Sequence, residues 1–192
     1  MIESGELQAM HVPPSSLLMY LPLLALLAVA AVTDFRARRI PNWLTLSVAV
    51  AGIAQSLTPI ATTTPFQSLG GLAIGFVLTF VVYAVGGRGA GDVKLMAGIG
   101  AWLGIWPVVW VFAAAAIVSM VVAVVQSVVT GKFSALVHNT GVMLLGVLNA
   151  KTLGKEHVIE TGRGCRSIDK PMPNAVNVLI ATVAVVMWVA AR

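Results

Sequence analysis

Residues 77–106 read VLTFVVYAV, GGRGAGDVK and LMAGIGAWLGIW in turn, so that Asp92 stands on a glycine-rich approach between two segments apolar enough to lie in lipid. How those flanks are read decides the fold. The apolar residues continue almost unbroken on both sides of Gly86–Lys94. Membrane-spanning helices interrupted by a short polar turn are the reading that fits.

The rest of the chain agrees. Of its 192 residues, 58% are hydrophobic and 10% charged, and its mean hydropathy is +0.94. A soluble domain carries about 25% charged residues, so composition selects the membrane class. The single cysteine, Cys165, excludes an internal disulfide framework and a tetracysteine zinc site, and it reads as an unreactive thiol. The net charge of +5 is judged by where the cations lie rather than as a sign of nucleic acid.

Six apolar stretches stand out, at about 16–33, 43–58, 68–85, 93–106, 108–129 and 175–191. A helix crossing about 30 Å of hydrocarbon needs about 20 residues, which the third and fifth supply. The fourth is the weakest; it ends at Trp106-Pro107 and is expected to form a hairpin with the fifth. With the N-terminus outside, eleven of the twelve Lys and Arg residues fall on inside loops and only Arg192 lies outside, the asymmetry of the positive-inside rule. The expected fold is an all-α polytopic membrane protein of six transmembrane helices with both termini outside (periplasmic). Residues 1–15 form a short polar tail. Residues 16–192 form a single transmembrane domain with a cytoplasmic loop at about 131–173. Glu3 and Glu6, with no cation before the first stretch, give the wrong n-region for a cleaved signal peptide. Within the loop, ALVHNTGVMLLGVLNA suits an interfacial helix.

Of seven acidic residues, only Asp34 and Asp92 abut apolar spans, and the topology puts both on the cytoplasmic side at similar depth. Ionisable residues at a membrane edge are functional candidates by default. Two carboxylates brought together share a proton, the arrangement with which aspartic proteases activate water and protonate a scissile carbonyl. The bland alternatives are ion pairs of Asp34 with Arg36 or Arg38, and Asp92 pairing with Lys94 or capping its helix. GGRGAGD matches neither GxGxxG nor GxxxxGK[ST], which argues against nucleotide binding. Gly89 and Gly91 would instead give the backbone unusual freedom and let a substrate strand approach. Gly98, Gly100 and Gly104 suit helix packing. Lys94 either orients the catalytic end of its helix, lowers an aspartate's pKa or anchors at the headgroups. His11, His138 and His157 show no metal spacing, no serine occupies a nucleophile elbow, and Trp43, Trp102, Trp106, Trp110 and Trp188 read as interfacial anchors.

Gly89-Ala90-Gly91-Asp92-Val93-Lys94 resembles the GxGDxK signature of the type IV prepilin peptidases, intramembrane GxGD aspartyl proteases. Asp34-Phe35-Arg36 through Arg39-Ile40-Pro41-Asn42 resembles the same family's first-aspartate motif, and Met172-Pro173-Asn174-Ala175 is a weaker echo of its Pro-containing final helix. The resemblance implies that Asp34 and Asp92 are the catalytic pair, working without metal or cofactor. The implied partner is a prepilin, whose leader is removed at the cytoplasmic face of the inner membrane, just before its hydrophobic helix. The paired CxxC motifs that accompany N-methylation in larger members are not expected here, and the chain looks like the short peptidases of tight-adherence (Flp) pilus systems. An archaeal preflagellin peptidase would share both aspartates. Two rival classes stay open: a proton- or cation-coupled transporter using intramembrane carboxylates, and a noncatalytic scaffold for pilus assembly.

Overall fold

The helix that carries Asp92 is the one around which the others are arranged. The computed structural model describes residues 17–59, 61, 63–84, 89–148 and 173–190. The N-terminal tail with His11, the turn Gly86-Gly87-Arg88, and the tract with Lys151, His157, Cys165 and Lys170 lie outside the described residues, as does Arg192. The described residues form seven α-helices and no strand: α1 (Leu17–Ala37), α2 (Asn42–Ser56), α3 (Pro65–Ala84), α4 (Ala90–Leu103), α5 (Ile105–Val129), α6 (Phe133–Leu148) and α7 (Asn174–Ala190).

Helix α4 has 14 residues, about 21 Å at 1.5 Å per residue, and is buried from Asp92 to Leu103 except at Lys94. A helix apolar on every side belongs in an interior, and α4 packs chiefly against α3 and α2. Helix α5, expected to form a hairpin with α4, packs on it but more extensively against α7 and α3. The reason lies in the glycines of the partner helices. A Cβ on Gly71 would strike the Gly100 carbonyl oxygen, and one on Gly75 would come within 2.6 Å of the Met96 oxygen. Only hydrogen at these positions lets the α3 and α4 backbones approach so closely. Gly98 receives Val48 of α2 in the same way, its Cβ position lying 2.8 Å from Val48 Cγ1.

The break between α4 and α5 falls at Gly104, with φ +83°, and not at Trp106-Pro107. Both those residues lie in the first turn of α5, where proline's missing N–H costs nothing. Ahead of that break the last carbonyls of α4 find donors: Ser68 Oγ donates to Ala101 at 2.8 Å and Gln55 Nε2 to Trp102 at 3.1 Å. Trp102 is not an interfacial anchor. It is 4% exposed, and its indole N–H donates to the Val48 carbonyl at 2.8 Å, because α4 is enclosed where the ring emerges. Trp43, Trp106, Trp110 and Trp188 are exposed.

Helices α1 and α7 close the other side. Tyr20, Leu23, Leu27, Ala30 and Ala31 form the buried stripe of α1, and Ala175, Val178, Ala181 and Val185 that of α7, both at the spacing of one helical face. The two helices pack together. Outward, Leu21, Phe66, Phe76, Val81, Met120 and Val125 are exposed, a surface suited to hydrocarbon rather than water. Three helices are long and apolar enough to cross a membrane, Met19–Ala37, Pro65–Ala84 and Ile105–Val129, with Asn174–Val189 apolar but shorter. Helix α6 covers much of the stretch read as an interfacial helix; it packs mainly against α5 and exposes His138.

Candidate active site

Sequence order explains how the first aspartate reaches the second. Helix α1 continues past Asp34 to Ala37 and ends where the Arg38 N–H donates to the Asp34 carbonyl at 2.9 Å. Arg38 has φ +50°, the left-handed residue that commonly stops a helix. The chain reverses, and Pro41, at φ −60°, leads into α2. This reversal lays Ile40 over Gly91 and Asn42 beside Lys94. A Cβ on Gly91 would lie 3.3 Å from Ile40 Cβ, and Lys94 Nζ donates to Asn42 Oδ1 at 3.0 Å. The two sequence motifs are thus in direct contact.

Asp92 is the third residue of α4 and is 8% exposed; Asp34 is half-buried. Both meet the first turn of α7. Asn174 Nδ2 donates to Asp92 Oδ2 at 3.1 Å, and the backbone N–H of the next residue, Ala175, donates to Asp34 Oδ2 at 3.0 Å. Neighbouring residues of one helix therefore hold the two carboxylates, whose Oδ2 atoms can be no more than about 12 Å apart when the bonds between them are followed. The first N–H groups of a helix have no partner within it, so Asp34 supplies an acceptor to α7 as well as being fixed by it. Among the described residues, this N–H rather than Arg36 or Arg38 engages the Asp34 carboxylate; both arginines are exposed. Asp34 and Asp92 are also the only carboxylate side chains among the described residues.

The glycines act differently from the expectation. Gly89 has φ −80° and ψ 152°, open to any residue, and Gly91 lies within α4, so neither supplies unusual backbone freedom. Gly91 makes room for Ile40. A Cβ at Gly89 would meet nothing within 4 Å, so among the described residues its lack of a side chain serves no internal packing. Asn174 was missed by the sequence reading. It stands in the Met172-Pro173-Asn174-Ala175 echo of the family's final helix, which marks the entry to that helix and gives the Asn174 side chain no role. Among the described residues no three His, Cys, Asp or Glu side chains gather to hold a metal.

The profile of the type IV leader peptidase family matches residues 21–124, more than half of the chain, including Asp34 and Asp92. Among curated proteins, a preflagellin peptidase of Methanococcus maripaludis (strain C6 / ATCC BAA-1332) is 33% identical over 79 residues, 39% of this chain and 34% of that protein. The chain thus matches about a third of that relative's length. No solved structure matches significantly. With its apolar outer surface, its membrane-length helices and a match across both aspartate motifs, the chain is a membrane protein that belongs to the type IV leader peptidase family.

Proposed function

We propose that the chain is an aspartic endopeptidase that removes the leader of a prepilin-like precursor. The observation that carries this reading is the attachment of Asp34 and Asp92 to adjacent residues of α7. Two acids that are 58 residues apart in sequence and share one mount suit the coupled pair that hydrolyses peptides without a covalent intermediate. One carboxylate accepts a proton from water as it attacks the scissile carbonyl. The other, protonated, donates to the carbonyl oxygen; as the resulting diol collapses it takes that proton back, while the first carboxyl passes the proton it took from water to the departing amine. Acid and base are not assigned to one residue each.

The surroundings fit that task. Among the described residues nothing lies within 4 Å of a Cβ at Gly89, which suits an extended substrate backbone running beside Asp92. Lys94, through Asn42, fixes the first turn of α4 against α2. The charge asymmetry of the loops supports a reading in which this end of the bundle faces the cytoplasm at the inner membrane, within a six-span topology whose termini lie outside. The region at about 131–173 is then a cytoplasmic loop, with α6 against the inner leaflet. A transporter relay would place its acids near mid-membrane, whereas these lie at helix ends, in the last turn of α1 and the first turn of α4.

The match to a preflagellin peptidase makes an archaeal-type preflagellin the second substrate to examine. The test is co-expression of the chain with a prepilin of the Flp type or with a preflagellin, followed by mass measurement of the product. Loss of the leader just before the hydrophobic helix supports the reading. An intact leader with every candidate precursor refutes it, and full processing by an Asp34→Asn or Asp92→Asn variant refutes the mechanism.

A further inference from the structure

We infer that Asn174 is a positioning residue: its amide holds the Asp92 carboxylate at a set distance from Asp34. The inference rests on the peptidase reading and deepens it; Asn174 lies outside the residues that the family profile matches. Three observations carry it.

First, the contact is directional. Nδ2 is a donor and Asp92 Oδ2 an acceptor at 3.1 Å, so the amide fixes one oxygen of the carboxylate without adding a charge to a site that must hold two acids. A lysine or arginine there would form an ion pair instead. Second, the mount is shared. The Ala175 N–H reaches Asp34, so a single peptide unit separates the two attachment points, and any movement of the α7 start moves both carboxylates. Third, the mount is stiff. Ala175, Val178 and Ala181 are at most 2% exposed. One turn further along, Asn177 Nδ2 donates to Ser119 Oγ of α5 at 3.2 Å, which ties α7 to a second helix. A side chain rooted in such a segment transmits position rather than absorbing movement.

The experiment uses the full chain reconstituted in lipid nanodiscs, with Asn174→Leu, similar in shape but lacking the donor, and Asn174→Gln, which keeps the donor on a longer stem. Two readouts are taken. The first is kcat and KM for cleavage of the precursor. The second is the infrared carbonyl band of protonated Asp92, identified by its loss in Asp92→Asn. The expected result for Asn174→Leu is a kcat loss of roughly ten- to a hundredfold, the range for a hydrogen bond to a charged group, with KM unchanged. Its Asp92 band moves to higher frequency as the donor is removed, and Asn174→Gln regains part of kcat. Wild-type kcat in Asn174→Leu, a loss carried by KM alone, or an unshifted band would each overturn the inference. If the wild-type chain cleaves no precursor while the band still shifts, the peptidase reading falls and the positioning of Asp92 by Asn174 stands.

Discussion

Gly71→Ala is the smallest change that should separate the two central helices. The added methyl would lie against the Gly100 carbonyl oxygen, and 2.7 and 2.8 Å from the carbonyl carbon and Cα of Gly104. Carbon atoms in contact normally sit about 3.5–4.0 Å apart, so α4 has to back away from α3 by roughly 1 Å. All three obstructing atoms are backbone, and no rotamer change relieves them. Overpacking of this kind costs about 1–3 kcal/mol. The displaced helix also carries Asp92, eight residues or about 12 Å along its axis, and a misplacement of about 1 Å at a catalytic group can cost about a hundredfold in rate. The assay pairs the thermal unfolding midpoint of the purified protein in detergent with the cleavage rate of a precursor. Gly89→Ala is the control for the stability readout alone, since among the described residues its Cβ meets nothing within 4 Å and its stability should stay within about 0.5 kcal/mol of wild type. Wild-type stability and rate in Gly71→Ala would refute the close packing of α3 on α4.

The other contacts give sharper local tests. Trp102→Phe removes the indole donor to Val48 and leaves a small void, and should cost about 1–3 kcal/mol in a chemical unfolding titration. Lys94→Met and Asn42→Ala should each cost little, and the double variant should cost no more than either alone. The coupling energy in that cycle is expected at about 0.5–1.5 kcal/mol, and strict additivity would mean that the contact at 3.0 Å contributes nothing. Arg38→Gly relieves a left-handed residue at φ +50° and should raise stability by up to about 1 kcal/mol, read as a higher unfolding midpoint.

The two acids were legible because carboxylates are so scarce in an apolar chain that each one beside a span demands a reason. The helical class was equally open, since continuous apolar runs of membrane length have few other solutions. The place of α4 was hidden. LMAGIGAWLGIW looks like a poor span, and its enclosure depends on Gly71 and Gly75 of another helix, which local pattern does not reveal. Trp102 looked like Trp106 for the same reason, since both lie near the end of one apolar stretch and only tertiary packing separates buried from exposed. The turn was misplaced because a proline can follow a helix or begin one, and here the left-handed Gly104 breaks the chain three residues earlier. Asn174 stands 82 residues from the aspartate it contacts, and no periodicity links them.

The central claim, that Asp34 and Asp92 act as one hydrolytic pair, is tested most directly by the cleavage rates of purified Asp34→Asn, Asp92→Asn and the double variant. An asparagine oxygen can still accept the Ala175 N–H or the Asn174 amide, so the fold and the mount are kept while the acid–base chemistry is lost. The predicted result is a fall of about 10²- to 10⁴-fold in kcat for each single variant, and a double variant little worse than either, as expected when two groups act as a unit. Cleavage by either single variant within tenfold of the wild-type rate would contradict it.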